Sequence, residues 1–72
     1  MKYRFRFLES ARHELRALER QDAMRILTAL TALGEDPYAA GLDVKKPSGH
    51  EGLYRLRVGR FRVAYRIDNG VI

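Results

Sequence analysis

The stretch Leu53 Tyr54 Arg55 Leu56 Arg57 Val58 Gly59 Arg60 Phe61 Arg62 Val63 Ala64 Tyr65 Arg66 Ile67 Asp68 alternates apolar and basic residues on both sides of Gly59-Arg60. Side chains along a strand point to opposite faces with a period of two. Tyr54, Leu56, Val58, Phe61, Val63, Tyr65 and Ile67 therefore share a core face, and Arg55, Arg57, Arg62 and Arg66 share the other. A gapless two-residue turn sets Val58 opposite Phe61, Arg57 opposite Arg62 and Leu56 opposite Val63, so the apolar faces of both strands coincide. That register also puts two guanidinium groups directly across from each other, an arrangement that costs a few tenths to about 1 kcal/mol. Either the charges are used, or long arginine side chains splay into water and keep a sheet edge from aggregating.

The beginning of the chain follows the same arithmetic. Tyr3, Phe5 and Phe7 fall on one side, and Lys2, Arg4 and Arg6 on the other. If this first strand joins the hairpin in one sheet, seven cations line a surface suited to an anionic partner. The net charge is +5, but segments 2–8 and 53–68 hold eight of the basic residues against one acid, Asp68, leaving the remainder close to neutral. Such concentration is the electrostatic footprint of a site for nucleic acid or for an acidic protein.

Between these basic segments the spacing predicts two helices. Ser10 is a candidate N-cap for a short amphipathic helix with Ala11, Leu15 and Leu18 inward and Arg12 and Glu14 outward. Asp22 is a candidate cap for a second, in which Ile26, Leu27, Leu30 and Leu33 form the apolar stripe and Gly34 and Pro37 mark the end. Arg20 and Gln21 are the expected joint, and the short stripes suit a helical hairpin covering one face of a sheet. Residues 35–52 read as a long connection, extended near Leu42 to Lys45. Asp68 Asn69 Gly70 Val71 is a hairpin signal, because Asn-Gly favours the positive φ angles of a type I′ turn.

Seventy-two residues allow one domain of modest stability. There is no cysteine, hence no disulfide framework and no thiolate zinc site. No apolar run approaches the roughly 20 residues of a membrane span, and the alternating N-terminus is unlike a signal peptide. The expectation is a soluble, cytoplasmic protein without metal or cofactor.

No Ser-His-Asp set, glycine-rich phosphate loop, metal-ligand cluster or paired carboxylates stand at useful spacing. Chemistry, if present, falls to arginines. Clustered guanidinium groups bind a phosphodiester bidentately and stabilise the negative charge that builds on phosphorus when a ribose 2′-OH attacks it. Arginine is a poor acid or base, so proton transfer is the weak part of such a site. His50, in the loop ahead of the hairpin, is either a solvated side chain or a proton donor, and His13 reads as an exposed helix residue. Tyr3, Tyr54 and Tyr65 fall on the core parity. Lys45 and Lys46 either extend the positive surface toward a phosphate backbone or are simply solvated.

The order strand, two helices, basic hairpin, with Leu53 to Tyr65 preceded by Asp36 Pro37 and Lys45 Lys46, resembles the RelE/ParE superfamily of bacterial type II toxins over essentially the whole chain. The resemblance implies an α+β fold: an N-terminal strand, a two-helix hairpin and an antiparallel sheet hairpin. It implies residues 1–72 as a single RelE-like toxin domain, expected to be C-terminally truncated because the superfamily pattern continues with a further strand carrying basic residues and a tyrosine. RelE-type members are ribosome-dependent messenger RNA endonucleases, whereas ParE-type members poison DNA gyrase on the same fold. By that resemblance Arg55 and Arg57 correspond to the basic pair on the second strand that contacts RNA, and Arg62 to the third-strand arginine that stabilises the transition state. Lys45, Lys46, Arg4, Arg6 and Arg66 are the accompanying candidates for RNA binding. Messenger RNA on the ribosome and a cognate antitoxin are the implied partners; a gyrase poison, or an inactive module that only binds an antitoxin, is the alternative.

Overall fold

The protein, described here by a computed structural model over residues 2–46 and 52–72, runs α1 (Glu9–Ala17), α2 (Arg20–Glu35), β1 (Val44–Lys45), β2 (Leu53–Val58) and β3 (Phe61–Arg66). The hairpin has the expected register: Val58 faces Phe61, Arg57 faces Arg62, Leu56 faces Val63 and Tyr54 faces Tyr65, all antiparallel. Its two-residue loop works because Gly59 takes a φ of +58°, a left-handed value that glycine adopts without a Cβ clash. On the other edge of β2, β1 completes a three-stranded sheet in the order β1-β2-β3, pairing Val44 with Leu56 and Lys45 with Arg55. The extended stretch expected near Leu42 to Lys45 is thus a short edge strand.

The N-terminal segment does not join this sheet, which corrects the seven-cation surface. Its backbone bonds are spent elsewhere. The Arg4 amide donates to the Gly70 carbonyl (3.0 Å), the Arg6 amide to Ile72 (2.8 Å), and the Ile72 amide returns a bond to Arg4 (2.8 Å). One parallel bridge, Arg4 with Val71, results. What presents Val71 and Ile72 to it is the Asn69-Gly70 turn, with φ of 52° and 80° as a type I′ turn requires and with Asp68 and Val71 exchanging two backbone hydrogen bonds. Alternation survives without the strand: Tyr3, Phe5 and Phe7 are half-buried against the core, while Lys2, Arg4 and Arg6 are exposed.

The core lies between α2 and the inner face of the sheet. Ile26, Leu30 and Leu33, spaced at i, i+4 and i+7, are buried with Leu56, Tyr65 and Ile72, and Leu33 and Leu56 are the largest side chains shut off from solvent. Each such burial contributes roughly 1.5–3 kcal/mol. Leu27, expected in the stripe, instead stays 39% exposed beside Met24 at 54%. The core-facing row follows Ile26, Leu30 and Leu33, and Leu27 turns off that row.

The helix boundaries differ from expectation in physically explicable ways. Leu8, not Ser10, is the N-cap of α1, and Glu19, not Asp22, that of α2; neither makes a side-chain cap bond. Ser10 and Asp22 lie inside the first turns, where Asp22 still places negative charge at the positive end of the helix dipole. The joint is Leu18-Glu19 rather than Arg20-Gln21, both of which are helical. Nor does Gly34 end α2. It is buried inside the helix, and its carbonyl accepts the Tyr3 amide at 3.1 Å, so it serves as a contact for the N-terminal segment. Pro37, buried beyond the C-cap Asp36, supplies the stop.

Candidate functional site

The outer face of the sheet is built by register alone. Lys45 pairs with Arg55 and Arg57 with Arg62, so these four cations form two adjacent cross-strand pairs, all exposed. Directly opposed residues carry Cβ atoms roughly 4.5–5.5 Å apart, close enough for two guanidinium forks to take one phosphate between them. Arg55 faces Ala64, a short residue that leaves open space between Arg62 and Arg66 on β3. Arg66 is exposed opposite Leu53 at the far end of the hairpin.

One acid on this face was not anticipated. The Arg57 amide donates to the Asp43 carbonyl at 2.9 Å, and Arg57 Nε lies 3.2 Å from Asp43 Oδ2. Backbone and side chain of Arg57 are therefore both fixed by the residue just before β1. The bond engages Nε and leaves the two terminal nitrogens of the fork for a ligand. Arg55 and Arg62 make no ion pair among the described residues. A single acid adjoining the Val44-Lys45-Lys46 run was the available sequence signal, but the pairing depends on how a long connection folds back.

Arg55, Arg57, Arg62, Lys45 and Arg66 are thus brought together. Lys46 is exposed just beyond β1, while Arg4 and Arg6 are exposed on the segment bonded to residues 70–72 and lie outside the three-stranded sheet. His50 lies outside the described residues. His13 is exposed on α1.

Arg60, at the hairpin turn, points away from this set. It reaches Asp22 of α2 at 3.4 Å and stacks over the Phe61 ring at 5.1 Å, clamping the loop to the helix. The tyrosines pack as their parity requires. Tyr54 and Tyr65 stack at 5.4 Å and 16° on the core side, and the buried Tyr65 hydroxyl has no hydrogen-bond partner among the described residues. Burial, then the neighbouring Tyr54 and Tyr38, push its pKa above the ordinary value of 10.0. Among the described residues no group of three or more His, Cys, Asp and Glu side chains is placed to hold a metal ion, and no helix is long and apolar enough to cross a membrane.

A helical pair packed behind a sheet with an arginine-lined outer face invites comparison with known families. Residues 5–72 match the model of the ParE toxin of type II toxin-antitoxin systems, parDE. The chain belongs to that toxin family. Neither curated proteins nor solved structures gave a match. Membership in the ParE toxin family makes the protein a type II toxin of the RelE/ParE superfamily, and such a toxin implies a cognate antitoxin. The α+β architecture, two helices followed by an antiparallel sheet, agrees with it.

Proposed function

We propose that this toxin is a ribosome-dependent messenger RNA endoribonuclease whose phosphate site is the outer face of the sheet. The observation that carries the reading is the Arg57–Arg62 cross-strand pair with Arg55 and Lys45 alongside. In the reaction the ribose 2′-oxygen bonds to the neighbouring phosphorus and the bond from phosphorus to the 5′-oxygen breaks. The products are a 2′,3′-cyclic phosphate and a 5′-hydroxyl. Negative charge builds on the non-bridging oxygens at the transition state, and preorganised donors aimed at those oxygens act where the charge develops. Arg57 and Arg62 suit that task, with Arg55 and Lys45 holding the flanking backbone. Guanidinium groups move no protons near neutral pH, so water or a group of the ribosome takes the 2′-proton and supplies the proton that the leaving 5′-oxygen takes up to become the hydroxyl.

Toeprinting of translating ribosomes tests this. Cleavage inside the A-site codon is expected with the wild-type chain, and its rate falls about 10²-fold or more in Arg62→Ala, the scale for losing one such donor. Growth arrest with messages intact overturns the reading. A second reading, docking on DNA gyrase, is favoured by the description of the matched family as ParE. A supercoiling assay separates the two, since only a gyrase poison inhibits that reaction.

A further inference from the structure

A second basic concavity lies away from the sheet. The end of the N-terminal segment and the outer side of α1 enclose a cleft of about 430 Å³ lined by Phe7, Glu9, Arg12, His13 and Arg16. Arg12 and Arg16 stand one helical turn apart on the same row, where like charges destabilise an isolated helix. The helix that carries them has little to spare: nine residues, no side-chain N-cap and no fully buried residue. Glu9 lies three positions before Arg12 and four before His13, yet pairs with neither. Arg57 and Arg60, by contrast, each hold a carboxylate. Three nitrogen-bearing side chains therefore line one cleft without an ion-pair partner among the described residues.

We propose that this cleft binds the 5′-phosphate of a nucleotide, free or at the end of a strand. A phosphomonoester presents three terminal oxygens and nearly two negative charges, which two guanidinium forks and an imidazole satisfy more fully than a two-oxygen carboxylate would. The floor supports the rest of the ligand. Phe7 is half-buried and stacked on Phe5 at 6.3 Å and 26°, so its ring is held in place as a face on which a base stacks. Glu9 contributes an acceptor for sugar hydroxyls. The site is independent of whether the sheet acts on messenger RNA or on gyrase.

The test is an NMR titration of the full chain with adenosine 5′-monophosphate, adenosine and inorganic phosphate, followed by a short RNA with either a 5′-phosphate or a 5′-hydroxyl. Adenosine 5′-monophosphate should perturb Phe7, Arg12, His13 and Arg16, with affinity at least about tenfold above that of adenosine or phosphate alone. The phosphorylated RNA binding there at least as tightly as the mononucleotide assigns the ligand to strand ends, and weaker binding assigns it to free nucleotides. Arg12→Gln/Arg16→Gln should lower the affinity about tenfold or more, and Arg55→Gln/Arg62→Gln should leave it within about twofold; both pairs are solvent-exposed, and circular dichroism checks that each variant folds. Shifts confined to the sheet, equal affinity for adenosine, or binding that survives loss of both α1 arginines overturns the proposal. So does a preference for an acidic peptide.

Discussion

Asp43 is the residue whose role is least obvious, because it sets a negative charge beside the cationic face that the toxin would offer to RNA. Its ion pair with Arg57 is more than half exposed on both sides, so it contributes at most about 1 kcal/mol to stability. Its larger effect is on orientation, since the bond to Nε fixes the plane of the guanidinium. Asp43→Ala therefore has effects of opposite sign. Removing a carboxylate strengthens attraction of the face for polyanions, so RNA binding measured by fluorescence anisotropy should tighten a few-fold, while cleavage should fall about tenfold because Arg57 loses its aim. If binding and cleavage move together, Asp43 is a charge and not a positioning residue. Tyr65 poses a different question. Its buried hydroxyl lacks a partner among the described residues, so Tyr65→Phe removes an unsatisfied group and should stabilise by up to about 1 kcal/mol in urea unfolding. The pH dependence has a definite sign. With the folded pKa raised above 10.0, the folded state holds its proton more tightly than the unfolded chain. Stability is thus fully present below the unfolded value and declines as pH rises through the alkaline range toward the folded one. Tyr65→Phe should flatten that decline.

At the scale of elements, local chemistry decided some features and distant contacts the rest. The β2–β3 hairpin was legible to the residue because period-two alternation and a glycine turn are encoded within fourteen consecutive positions, and the opposed pair Arg57–Arg62 came with it. The type I′ turn at Asn69-Gly70 was legible for the same reason. Helix starts were not. Ser10 and Asp22 have capping side chains, but the chain entering each helix is fixed by packing of the aromatic segment and of Leu18, which selects Leu8 and Glu19 as caps instead. The Asp43–Arg57 pair was equally hidden, since it closes across a connection whose path no periodicity dictates. The cap result carries its own prediction. Leu8 is 74% exposed in extended backbone, and its side chain makes no cap bond, so Leu8→Asp supplies both a hydrogen-bond acceptor and a favourable charge at the start of α1. Thermal unfolding should show a gain of about 1 kcal/mol; an unchanged midpoint would show that the N-terminal segment, not the cap, limits this helix.

Across the whole molecule, residues 4–6 and residues 70–72 hold each other. Residues 4–6 find their backbone partners at residues 70–72, a separation at which closing the chain is costly until the core between them exists. Ile72 ties this pairing to the core, being buried with Leu33, Leu56 and Tyr65, while Tyr3 ties the same segment to α2 through Gly34. Ile72→Ala should therefore cost about 2 kcal/mol, the low end for emptying an aliphatic core site, because this one lies at the rim. In a chain of this size that is a large share of a total stability at the low end of about 5–15 kcal/mol. The loss should also be regional. Hydrogen exchange at the Arg4, Arg6 and Ile72 amides should accelerate together, since all three bonds join the same two segments, while α2 amides near Leu30 and β2 amides near Leu56 accelerate only as far as the loss of global stability requires. Independent exchange of the three would mean that the termini are held separately, by Tyr3 at one end and by the Asn69-Gly70 turn at the other. Concerted exchange would make the pairing a cooperative unit, so that the segment carrying Lys2, Arg4 and Arg6 could leave residues 70–72 without unfolding the arginine face.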